Sequence, residues 1–171
     1  QLLPPHILHS DIDFKIIEIF TKKRKYLGIS DFLIDMTIIK KILVAVGNES
    51  SLNRCLTIAI PIAKGIGASI TCIYVLSSFP RNLQIALEQS SSKLEKENAG
   101  KYFEVAKEKC KENGIKFEQI IAKGQAREAI LEHEKEFDLV VMGRADWGSK
   151  LLGSVSNGVV SQSKKDILLV K

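Results

Sequence analysis

The ten residues "KILVAVGNES", Lys41 to Ser50, decide the fold. "KILVAV" is a short, unbroken apolar run, as a strand covered on both faces requires. "GNESS" follows as a loop, in which Ser50 or Ser51 is placed to cap a helix. Leu52, Cys55, Leu56, Ala59, Ile62, Ala63 and Ile66 then recur at three- and four-residue steps and draw one apolar helix face. Pro61 falls inside that helix and removes one backbone donor, so a kink is expected there. Gly65 and Gly67 mark its end.

The same alternation continues to the C-terminus. "SITCIYVL" (69–76) reads as the second strand and "SSFPRN" as the loop after it. Residues 83–112 read as helix, with Leu83, Leu87, Leu94, Tyr102, Val105 and Ala106 inward and the Ser90–Ser92 run as a point of interruption. Asn113-Gly114 stops it. "IKFEQIIA" (115–122) is a third strand, nearer an edge because polar residues alternate into it. Gln125 to Glu136 reads as a helix that turns Ala126, Ala129, Ile130 and His133 inward. "DLVVMG" (138–143) is the fourth strand, Ser154 to Ser163 a helix and "DILLVK" (166–171) the last strand. Strands alternating with helices imply an α/β fold, a parallel sheet with helices on both faces. Ligands of such sheets bind beyond the carboxyl ends of the strands. The loops after Val46, Leu76 and Met142 are therefore the site candidates.

Composition agrees. A chain of 171 residues with 45% hydrophobic and 26% charged residues suits one globular domain with some extra sequence. Aromatics are 6%, so the core rests on Ile, Val, Leu and Ala. The net charge of +5 is spread thinly, which argues against a nucleic-acid partner. "KKRK", Lys22 to Lys25, reads as a solvated turn. Cys55, Cys72 and Cys110 follow no CxxC spacing and read as buried thiols in a reducing compartment. His6, His9 and His133 lack partners at ligand spacing, so no metal is expected. No apolar run is long enough for a membrane span. Residues 1–38 stand outside the rhythm, as an extension packing on the domain or a partner, or as the tail of an upstream domain. "DFKIIEIF" suits a strand there and "SDFLIDM" a short helix. The absence of an initial Met suggests a piece of a longer polypeptide or a trimmed form.

"VVMGRADWGSKLLGSVS", Val140 to Ser156, nearly contains a P-loop: Gly143, four residues, then Gly148-Ser149-Lys150. A P-loop lysine must directly follow the second glycine, and Ser149 holds that place. "GSVS" (153–156) has the better chemistry for phosphate. Gly153 turns the chain, Ser154 caps or donates a hydroxyl, and Val155 and Ser156 offer amides at a helix N-terminus. Arg144 and Lys150 add charge at the rim. The same residues also suit a plain Ser-capped helix. No nucleophile–base pair emerges, so an enzyme is not expected.

Residues 39–171 resemble the universal stress protein family in "KILVAV", "ASITCIYVL", "GQAREAILEHEKEFDLVVMGR" and "LLGSVSNGVV…ILLVK". The resemblance implies a five-stranded parallel sheet of order 3-2-1-4-5, Rossmann-like and similar to the adenine nucleotide alpha hydrolases. It also implies a homodimer through the last strand, a role in stress response, and in many members ATP or AMP at the carboxyl edge. The binders' pattern is G-x2-G-x9-G-[ST]. Met142 and Gly143 match its start, Gly153, Ser154, Val155 and Ser156 its end, Val75 the second-strand position near the base, and Ala45 and Val46 the first-strand end. Two departures matter. Gly47 stands where binders carry an Asp, with Glu49 the nearest acid, and Gly143 to Gly153 spans 10 positions against about 13 in the pattern. Read instead with Gly143 as the second glycine, the x9 spacing fits and Val140 takes the first place.

The expected function is a cytoplasmic regulatory domain without catalysis that binds adenine nucleotide weakly or in altered form. The alternative is a non-nucleotide interaction module, such as the cytosolic domain of a membrane transporter.

Overall fold

The computed structural model describes residues 17–20, 39–77, 84–144 and 153–171. Strand β1 is Ile17–Phe20, β2 Lys41–Val46 and β3 Ser69–Leu76; β4 is Phe117–Lys123, β5 Leu139–Gly143 and β6 Asp166–Val170. Helix α1 is Glu49–Ile66, α2 Gln84–Glu112, α3 Ala126–His133 and α4 Ser154–Gln162. The sheet order is β1-β6-β5-β2-β3-β4. Strands β2 to β6 are all parallel. Counted from Lys41, their order is 3-2-1-4-5, as the resemblance implies.

β1 is an addition. It runs antiparallel to β6, with Ile17 opposite Val170 and Phe20 opposite Ile167. The edge expected to meet a second copy is thus covered within the chain, which removes its free backbone donors and acceptors from solvent. The expected helix "SDFLIDM" and the basic turn Lys22–Lys25 lie outside the described residues.

Continuous apolar strands are buried on both faces here. Ile42, Val44, Val46, Ile70 and Cys72 point to one face, beneath α1 and α2. Leu43, Ala45, Ile73, Val140, Met142, Ile167 and Leu169 point to the other, where Ile130 of α3 and Val159 of α4 pack. Each fully buried aliphatic side chain contributes about 1.5–3 kcal/mol relative to exposure.

Local expectations change at four points: the cap of α1, the Ser90–Ser92 run, the buried stripe of α2 and the end of α3. The cap of α1 is Asn48, extended in backbone, whose Oδ1 accepts the Ser51 amide at 2.8 Å; Ser51 is the third helical residue, not the cap. The helix continues through Pro61, which is exposed, as is Thr57, whose carbonyl loses its partner. Gly67 ends it with φ 70°, where a side chain would be strained. The Ser90–Ser92 run does not interrupt α2, which is one helix of 29 residues. Its buried stripe is Ala99, Phe103, Ala106 and Cys110, at helical spacing, while Leu94 is 58% exposed and Val105 37%. α3 ends at His133 and tightens into a 3₁₀ turn, Glu134–Glu136.

Two carboxylates unforeseen as structural elements brace this frame. Asp138 accepts the amides of Lys40 and Lys41, at 2.8 and 3.0 Å, and holds β2 beside β5 at the amino edge of the sheet. Glu134, 3% exposed, accepts the Ser163 hydroxyl at 2.6 Å and the Lys164 amide at 2.9 Å, fixing the turn before β6. Among the described residues no helix is long and apolar enough to cross a membrane, and no group of His, Cys, Asp and Glu is arranged to hold a metal.

Candidate functional site

The carboxyl ends of β2, β3 and β5 converge on a cleft of about 420 Å³. That is within the roughly 300–1,000 Å³ range of small-molecule sites. The crevice beyond the strand ends is where parallel sheets place their ligands, because strands leave loops and helix N-termini there. Of the residues proposed from sequence, Ala45, Val46, Gly47, Val75, Met142, Gly143, Val155 and Ser156 line it. Gly153 and Ser154 stand beside it as the cap and first residue of α4. Arg144 follows β5 directly, and its amide donates to the Val170 carbonyl at 2.7 Å. Lys150 lies outside the described residues.

Short residues let the elements meet. A methyl group at Gly143 would lie 3.1 Å from both Cβ and Oγ of Ser51, so glycine at this strand end admits the first turn of α1. Ser156 is buried, and its hydroxyl donates to the Gly143 carbonyl at 3.1 Å. That bond ties the end of β5 to the first turn of α4. Ser154 is exposed. The expected serine cap is absent: α4 begins at Gly153 without a side-chain cap bond, and its first backbone ladder bond runs from Asn157 N to Gly153 O. The first-turn amides carry the partial positive charge of a helix start.

Gly47 is exposed, and a Cβ there would meet only Ser51 Oγ, at 3.9 Å. A larger residue has room. Glu49 is exposed in the first turn of α1 and does not line the cleft.

The sequence reading missed the far wall. Tyr74 and Ile73 of β3, Ser77 after it, Glu95 of α2, and Ala126 and Ile130 of α3 all line the cleft. Tyr74 and Ile73 adjoin Val75, so the strand itself pointed to them. Nothing local marked Glu95, eleven residues into a polar helix. Its Oε2 accepts the Ser77 amide at 3.1 Å. Burial, then Glu95, then Tyr102 hold the Tyr74 phenol above its ordinary pKa, so it stays neutral and a hydrogen-bond donor. Behind the cleft, burial pushes the Cys55 thiol up to about 12 and Cys110 up to about 11, and raises Cys72 as well.

The model of the Universal stress protein family matches residues 39–171. The chain belongs to the universal stress protein family. It is 32% identical over 146 residues to the universal stress protein YxiE of Bacillus subtilis (strain 168), covering 77% of this chain and 98% of the relative. In fold it is similar to a universal stress protein of Archaeoglobus fulgidus in complex with dAMP, with TM-score 0.58 and 18% identity, over 78% of this chain and 99% of the other. It is similar, too, to a universal stress protein in complex with cAMP, with TM-score 0.55 and 24% identity, over 77% and 96% of the two chains.

Proposed function

We propose that this universal stress protein domain binds an adenine nucleotide in the cleft and acts as a regulatory module without chemistry of its own. The observation that carries the reading is the start of α4 at Gly153, whose first-turn residues Val155 and Ser156 line the same cleft as Gly143. A phosphate accepts the amides of Ser154, Val155 and Ser156, aligned with the helix dipole. Arg144 adds positive charge at that rim. The base lies against the apolar walls formed by Val75, Met142 and Ile130. Two universal stress proteins of this fold, in complex with dAMP and with cAMP, support an adenine nucleotide as the ligand. Affinity is low, because Gly47 offers no carboxylate and Gly143 to Gly153 is a short span.

Titration calorimetry with ATP, ADP and AMP tests this. Binding heat with saturation below millimolar concentrations is expected. No heat at millimolar nucleotide would leave the interaction-module reading in its place.

A further inference from the structure

The cleft has two poles of opposite charge. At one, the first turn of α4 presents backbone amides beside Ser156. At the other, the Glu95 carboxylate comes from α2 to the end of β3, where its Oε2 accepts the Ser77 amide at 3.1 Å. Ser77 stands two residues beyond Val75, the wall proposed above for the base, and both line the cleft with Glu95. β5, β2 and β3 are consecutive in the sheet, so the strand ends at the two poles are two spacings apart, about 10 Å. A phosphate is repelled by the carboxylate and goes to the amides. The sugar is bonded to the phosphate and stays near that pole. The purine edge opposite the glycosidic bond is the far end of the nucleotide, and in this orientation it faces Glu95.

We propose that Glu95 is a base-specificity residue, its carboxylate accepting a hydrogen bond from the 6-amino group of an adenine laid against Val75. This rests on the nucleotide reading of the cleft, keeps the orientation given there, and adds a residue from a helix that no motif marks. A carboxylate is acceptor-only and its two oxygens take several donors, so the bond to Ser77 leaves capacity for another. That bond also holds the group at the strand end, so less side-chain freedom is lost when a base arrives. Adenine offers a donor at position 6. Hypoxanthine and guanine offer a carbonyl oxygen there, which a carboxylate repels and to which it has nothing to donate. Glu95 is half-buried, so this discrimination is stronger than it would be in open water.

The test is a set of titrations on the native chain and on Glu95→Gln with four probes: AMP, IMP, GMP and the purine ribonucleotide that lacks the 6-amino group. Glutamine keeps an oxygen for the Ser77 amide and gains an NH₂ that donates to a 6-oxo group. The native chain should prefer AMP to the probe without the amino group by about tenfold, the scale of one charge-assisted hydrogen bond. IMP and GMP should bind more weakly still. In Glu95→Gln, AMP should weaken, the probe without the amino group should hardly change and IMP should improve, so that the AMP-to-IMP preference falls by about tenfold or more. That ratio is read within one variant, so a general loss of affinity does not imitate it. Equal weakening of all four probes would overturn the proposal and reduce Glu95 to a brace on Ser77. Native GMP binding tighter than AMP would overturn it too, by giving the carboxylate the donors of the guanine edge. If the native chain binds AMP and the probe without the amino group equally, Glu95 is not the selector though the nucleotide reading stands. If it binds none of the four, the nucleotide reading itself fails.

Discussion

The Ser156 hydroxyl donates to the Gly143 carbonyl at 3.1 Å, and the two residues frame the same cleft. This bond sets the position of the α4 amides relative to the end of β5. Ser156→Ala removes the donor and leaves the carbonyl short of a partner. The expected cost is about 1–2 kcal/mol by chemical denaturation, with weaker nucleotide binding as α4 shifts. Unchanged stability and affinity would show that the bond positions nothing.

Gly143 carries a second constraint, from the opposite side. Its missing Cβ leaves the space occupied by Ser51, 3.1 Å from where that atom would stand. Gly143→Ala should therefore cost about 1–3 kcal/mol, the usual range for overpacking, while Gly143→Ala combined with Ser51→Gly should recover part of it. A single variant as stable as the native chain would contradict the close approach.

Much of this frame was legible in sequence because the signals are local. "KILVAV" and "DLVVMG" are unbroken apolar runs, and strands buried on both faces leave no other pattern. The polar alternation in "IKFEQIIA" likewise matched an edge, since β4 ends the sheet. The errors came where several residues compete for one role. Asn48 out-competed Ser50 and Ser51 as a cap because its Oδ1 reaches the Ser51 amide. Leu94 and Val105 fit an apolar face by spacing, yet Ala99, Phe103, Ala106 and Cys110 share the face that meets the sheet. Glu95 and Glu134 act across the fold, on Ser77 and on Ser163, at separations that no spacing rule spans.

The three thiols predict a pH dependence. Burial raises the folded-state pKa values, to about 12 for Cys55 and about 11 for Cys110, above the ordinary value of 9.0. The unfolded chain then loses these protons first as pH rises. Their contribution to stability is complete below pH about 9 and declines between that and pH about 11–12. Denaturation midpoints should fall over that window, less so in Cys55→Ala. At pH 8 the native thiols should resist iodoacetamide and react after unfolding. Rapid native labelling would contradict their burial.

β1 covers the β6 edge that a second copy would need. Ile19→Pro fixes φ and blocks the antiparallel ladder opposite Leu168. The native chain should sediment as a monomer, and Ile19→Pro should self-associate with concentration. A native dimer with β6 protected in both copies would show instead that β1 yields to a partner strand.

Gly47 is the position where a family Asp is missing and where a Cβ meets nothing closer than 3.9 Å. Gly47→Asp should fold normally and raise ATP affinity. Unchanged or lower affinity, with stability intact, would count against the placement of the ligand at the end of β2.

Backbone amide NMR of the native chain during titration with AMP tests the central claim most directly. The account predicts saturable shifts at Ser154, Val155 and Ser156, joined by Gly47 and Ser77 across the cleft, with the amides of β1 unmoved. Shifts confined to residues away from the carboxyl edge, or none at millimolar AMP, would contradict it.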